Sequence, residues 1–121
     1  KAADSHYGVV FSQAHSAQLF DIDGDGIKDL VTGKRWWAHN GNDPGGNDAA
    51  VLYWFKVIPG GKSGDAQFVP YQVDNDSGVG TQFLVTDLNG DSKADILVGN
   101  KKGTFLHIQR DVAEQKPGPN N

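Results

Sequence analysis

Asp21, Asp23, Asp25 and Asp29 lie within nine residues, DIDGDGIKD, and a related stretch, DLNGDSKAD, holds Asp87, Asn89, Asp91 and Asp95. Oxygen donors at alternate positions followed by a backbone carbonyl form the donor set of a hard divalent cation, above all Ca2+. The expected ligands are Asp21, Asp23, Asp25, the carbonyl of Ile27 and Asp29 in one loop. In the other they are Asp87, Asn89, Asp91, the carbonyl of Lys93 and Asp95. Two like unit charges ~4 Å apart repel by about 4 kcal/mol at an effective dielectric near 20, so gathering these carboxylates without a cation is costly. Gly24 and Gly26 free the chain to curl around an ion. Ligand charge tunes affinity, so the first loop, with four aspartates, is expected to be the tighter of two Ca2+ sites. Ser92 replaces the second glycine and is expected at positive φ, which is uncommon for a side-chain-bearing residue. The expected role of the ions is structural, since metal-binding energy adds to folding.

The segments that must position these loops read as short strands. HYGVVFS is a candidate first strand, and SAQLFDI leads into the first loop. FSQAHSAQ, between them, is compatible with a short helical turn. DLVTGKRWW leaves the loop, AHNGNDPGGND is a polar connection, and AAVLYWFKVI is the most apolar strand. AQFVPYQVD follows, its Pro70 marking an edge or irregularity. TQFLVTDL enters the second loop, DILVGN leaves it, and TFLHIQ is the last strand. Superposing Asp21 on Asp87, an offset of 66 residues, also matches Gly24 with Gly90, Asp29 with Asp95 and Gly33 with Gly99. About four strands separate one loop from the next, the number in a propeller blade. The expected organisation is an N-terminal segment with a strand (1–15), a first repeat (16–80), a second, incomplete repeat (81–110) and a disordered tail (111–121).

The chain has 121 residues and a formal net charge of −4, with Asp and Glu totalling 15, seven of the aspartates in the two loops. That balance argues against sequence-independent nucleic-acid binding, which requires a basic footprint. Cysteine is absent, which excludes disulfides and thiolate metal sites. No apolar run approaches the length of a transmembrane helix, so no membrane insertion is expected.

The loops differ from an EF-hand, which needs Glu at position 12 and flanking helices. Here Thr32 and Val98 occupy that position and the flanks are strand-like. The pattern D-x-[DN]-G-D-x-x-x-D, followed by two apolar residues, any residue and Gly, instead resembles the FG-GAP or VCBS-type repeats of calcium-binding β-propellers. The integrin α-subunit head is a familiar relative. HSAQLFDIDGDGIKDLVTGKRWWAH and DSGVGTQFLVTDLNGDSKADILVGNKKGTFLHIQ look in particular like the end of propellers in large secreted bacterial proteins. The resemblance spans roughly residues 16–109. It implies an all-β fold of about two four-stranded propeller-type blades, with a Ca2+ loop between the first two strands of each. It also implies a secreted or cell-surface location. Two blades cannot close a ring, since propellers take about four to eight. The expected partners are therefore the remaining blades of a longer propeller, or other copies of the chain, met through exposed strand edges.

A non-catalytic module for adhesion, matrix or self-assembly is the reading these features favour. The rival is a glycan-binding or catalytic domain of a polysaccharide-active secreted enzyme. It would use the Trp-rich segment 34–48, with Trp36, Trp37 and His39 as ligand-binding candidates and glycans as partners. His39 and Asp43 could be written as a catalytic pair, but no spacing selects them. Core packing is the simpler expectation for the tryptophans.

Overall fold

A computed structural model describes residues 8–111, and among them the protein is all-β. Strands β1 (Ala14–Phe20), β2 (Asp29–Lys34), β3 (Leu52–Ile58) and β4 (Gln67–Asp74) form an antiparallel meander in the order β1-β2-β3-β4. Strands β5 (Phe83–Thr86), β6 (Asp95–Asn100) and β7 (Gly103–His107) form a second, three-stranded antiparallel sheet. The described residues contain no α-helix, only short 3-10 turns at His39–Gly41 and Gly61–Ser63, and they form no closed ring. Pro70 lies in β4, at the edge of its sheet, where its missing N–H is tolerated.

Two expectations at the N-terminus are corrected. Gly8–Ser12 of HYGVVFS form no strand, and His6 and Tyr7 lie outside the described residues. Gly8 at φ +73 and Gln13 at φ +56 interrupt any extended run. FSQAHSAQ is not helical either, because β1 already begins at Ala14. The tail expected to be disordered lies outside the described residues beyond Asp111, whose carboxylate pairs with the ammonium of Lys93 at 3.0 Å.

Strand alternation decides which residues meet between the sheets. Val31, Leu52, Phe83, Val85, Ala94, Ile96, Val98 and Val79 make the buried cluster, with Phe20, Ile22, Trp54, Val73 and Phe105 packed against it. Polar links tie the sheets together at several points. The Gln18 side chain on β1 donates to the carbonyl of Phe83 at 2.5 Å and accepts from the N–H of Val85 at 3.4 Å. Arg35 and Val79 form a parallel bridge, and the Val79 N–H donates to the Lys34 carbonyl at 3.0 Å. Gln109 Nε2 donates to the Ile22 carbonyl at 3.1 Å.

The opposite faces repeat the same chemistry. The register sets Leu84, Leu97 and Leu106 in one row across the second sheet, and Leu84 and Leu106 are exposed. On the first sheet the row Leu19, Leu30, Phe55, Pro70 also faces away from the core, and Leu19 is exposed. The offset of 66 places Val31, which packs between the sheets, on Leu97 of the outer row, and Leu30 of the other outer row on Ile96, which packs between the sheets.

Candidate metal centres

Both acidic loops fold on the same hydrogen-bond scaffold. Asp21 Oδ1 accepts from the N–H of Gly24 at 2.8 Å and of Asp25 at 3.1 Å, and Oδ2 accepts from Gly26 at 2.8 Å. Asp87 repeats this with Gly90 at 2.7 Å, Asp91 at 3.1 Å and Ser92 at 2.8 Å. Asp25 Oδ1 accepts from Ile27 at 2.9 Å, and Asp91 Oδ1 from Lys93 at 3.0 Å, so the seventh residue of each loop is held by its N–H. Ser92 sits at φ +67 where its counterpart Gly26 sits at φ +87, as the sequence alignment of the loops requires.

The ninth aspartate has a further task that sequence reasoning missed. Asp29 is fully buried; it accepts from the N–H of Ile22 at 3.0 Å and, across the sheet, from that of Val57 on β3 at 2.9 Å. Asp95, also fully buried, accepts from Leu88 at 2.9 Å and Gln109 at 3.0 Å. Asp29 thus clamps its loop to the third strand of its sheet, and Asp95 clamps its loop to the segment just after β7. Because a carboxylate offers about four lone-pair sites, these bonds leave acceptor capacity toward the loop.

Carboxylate oxygens of Asp21, Asp23 and Asp29 lie within 4.8 Å of one another, as do those of Asp87, Asp91 and Asp95. The two groups occupy equivalent loops but are not identical: Asn89 stands opposite Asp23 and donates to Asp91 at 3.3 Å. In the first loop the ammonium of Lys56, on β3, bonds to Asp23 and, at 2.9 Å, to Asp25. Lys56 was absent from the sequence reading, although it is the one charged residue within AAVLYWFKVI. Its hydrogen bond, with that of the Ile27 N–H, holds the Asp25 carboxyl below its ordinary value, and the two carboxylates hold the Lys56 ammonium above its own.

The acid titration of the fold follows from two more groups. Hydrogen bonds led by the Ser92 N–H hold Asp87 below the ordinary 3.8. For Asp74, burial pushes the carboxyl up, but the hydrogen bonds of Ser77 and Asp76 outweigh it and the net direction is down. A depressed folded-state value stabilises the fold above the unfolded value and loses that contribution as pH falls through the folded one. Melting temperature in EDTA should therefore hold steady down to about pH 5 and fall progressively once the pH drops below about 4. Asp74→Asn should flatten part of that fall. A profile unchanged by Asp74→Asn would contradict the assignment.

The aromatic candidates are scattered. Trp36 and Trp37 have ring centroids 6.5 Å apart, and Trp37, at φ +52, is exposed. His39 Nδ1 lies 2.5 Å from Asp43 Oδ2 on the open surface, and that oxygen also accepts from Gln13 Nε2 at 3.2 Å. The His39 and Gln13 bonds hold Asp43 below its ordinary value. Trp54 stacks on Tyr71 at 4.6 Å and packs against the core. Lys34 is fully buried, donates to the Gly46 carbonyl at 3.1 Å, and is pushed down by burial against the opposing pull of Asp48.

Two antiparallel sheets, each with an aspartate-rich loop between its first two strands, define a β-repeat protein with paired oxygen-donor centres. More particularly, residues 79–111 match the family model of the FG-GAP repeat. This repeat suggests a β-propeller module, is typically extracellular and commonly binds Ca2+. No curated protein and no solved structure gives a significant match. No helix among the described residues is long and apolar enough to cross a membrane.

Proposed function

We propose that the chain is a non-catalytic, calcium-binding β-repeat module of the secreted or cell-surface type, serving adhesion, matrix or assembly. The observation that carries this reading is the convergence of three carboxylates in each of two loops built on one hydrogen-bond scaffold. An all-oxygen donor set of this charge fits Ca2+ and offers nothing to soft metals. Asp21, Asp23, Asp25 and Asp29 would hold one ion with the carbonyl of Ile27. Asp87, Asn89, Asp91 and Asp95 would hold the other with that of Lys93. The ion supplies positive charge where the carboxylates repel, and so pins the turn between the first two strands of each blade. The outer rows around Leu97 and Leu30 are equivalent, through the repeat, to rows that already pack against each other. They suit head-to-tail stacking with further sheets of the same kind, in the same polypeptide or in another copy.

Thermal melting in millimolar Ca2+ and in EDTA tests the reading. A site filled at 100 times its Kd adds about 2.7 kcal/mol, so the melting temperature should rise clearly with Ca2+ and less with Mg2+. An unchanged melting temperature would count against it.

Lys56 modifies the expected ranking of the sites. The first loop has more aspartates, but Lys56 already neutralises two of them and must be displaced by an incoming ion. Lys56→Met should therefore tighten the first site several-fold and leave the second unaltered, as measured by calorimetric titration of Ca2+. Weaker binding at the first site in this variant would show that Lys56 orders the loop rather than competing for it.

A further inference from the structure

The connection after the second strand differs between the repeats, and the difference opens a cleft. Gly33 and Gly99 are equivalent. A Cβ on Gly33 would lie 2.2 Å from the Val51 carbonyl oxygen, whereas one on Gly99 would meet nothing within 4 Å. In the first repeat, residues 35–51 return over the glycine. In the second, residues 101–102 turn straight into β7 and leave it open. Arg35, Trp36, Gly80, Thr81, Gly99 and Lys101 line the resulting cleft of about 250 Å³.

Its charge runs against that of the chain. Arg35 meets the His15 ring at 3.1 Å, and Lys101 donates to the Trp37 carbonyl at 3.3 Å. Among the described residues neither has a carboxylate partner. Lys102 and Lys34 place their ammonium groups 4.8 and 5.8 Å from the Trp36 ring centre, but Lys102 is paired with Asp76, and Lys34 is fully buried and donates to the Gly46 carbonyl. Asn100 fixes the turn that presents Lys101: it donates to the Ser77 carbonyl at 2.5 Å and accepts from the Lys102 N–H at 2.8 Å. The result is a half-open trough with a bare glycine backbone floor, an indole wall, a threonine hydroxyl and two cations without acids.

We infer that this cleft binds an acidic saccharide, with Arg35 and Lys101 taking the carboxylate of a uronic acid unit. Arginine meets a carboxylate through two parallel N–H bonds, and lysine adds a point charge. A floor without a Cβ at Gly99 lets a pyranose ring approach the backbone closely, and Thr81 offers a partner for its hydroxyls. A nucleic acid is a poorer fit, because its affinity depends on many phosphate contacts along a basic stripe, and this patch holds two cations without carboxylate partners on an acidic chain. The site is independent of the metal loops. Exposed charges are screened by salt, so the binding should weaken as NaCl is added.

Tryptophan fluorescence titration with trigalacturonic acid, in EGTA and again at fixed free Ca2+, tests the inference. A saturable response in both conditions is expected, and none with a neutral trisaccharide, inorganic phosphate or a short oligothymidylate. Arg35→Gln and Lys101→Gln should each weaken binding at least five-fold. Gly99→Leu, which fills open space, should abolish it with the melting temperature unaltered. An absent response, an equal response to any control ligand, binding only with Ca2+ present, or binding that survives Gly99→Leu would each overturn the proposal. The melting response to Ca2+ is read separately, so failure of this site and failure of the metal centres are distinguishable.

Discussion

Asp29→Ala, measured by urea unfolding in EDTA, should destabilise the protein by about 3–5 kcal/mol, and Asp95→Ala by a similar amount. The fully buried carboxylate of Asp29 satisfies the N–H groups of Ile22 and Val57, and alanine leaves both donors without it. Each unsatisfied buried donor costs about 1–3 kcal/mol, against a total stability of about 5–15 kcal/mol for an ordinary domain. EDTA removes any metal contribution, so this loss is structural. Asp23→Ala serves as the contrast. Its side chain lies at the surface of the loop, and it should lose Ca2+ affinity with little change in EDTA. If Asp29→Ala stayed within about 1 kcal/mol of the parent chain in EDTA, the clamp would be wrong.

The second large effect is a contrast between equivalent glycines. Gly33→Ala should cost about 3 kcal/mol or more, because the added Cβ meets the Val51 carbonyl oxygen, a backbone atom already held by the Lys34 N–H at 2.9 Å, rather than a side chain that can swing away. Gly99→Ala should be neutral or stabilise by about 0.4–1 kcal/mol, since the new methyl meets open space and the unfolded chain loses freedom. Equal effects at the two positions, read from chemical denaturation, would contradict the view that residues 35–51 close over one repeat and leave the other open.

The strands flanking the loops were legible because their apolar runs end abruptly in Asp, Gly and Asn. Pro70, expected to mark an edge or an irregularity, lies on the edge strand β4. The positive φ of Ser92 was legible too, because the repeat sets it opposite Gly26, whereas the hydrogen bonds that Asp21 and Asp87 accept from the loop N–H groups were not. Residues 8–12 were misread for a physical reason. Val9, Val10 and Phe11 have strand composition, but backbone turns at Gly8 and Gln13 frame them, and composition does not reveal the sign of φ. The second role of Asp29 was hidden because its partner, the N–H of Val57, is a backbone atom 28 residues away that no side chain announces. Lys56 was visible in principle, as a lone charge in an apolar strand seldom lacks a partner. The cleft at Gly99 depends on the absence of a covering loop, and only the register of the third strands exposes that difference between the repeats.

Native mass measurement of the intact chain, in Ca2+ and after EDTA, tests the central claim most directly, since it counts bound ions on each molecule. The account predicts two Ca2+ per chain, one after Asp23→Ala or Asp91→Ala, and none after both substitutions or in EDTA. A chain carrying no specific Ca2+ at millimolar concentration, or one whose ion count is unchanged by both substitutions, would contradict it.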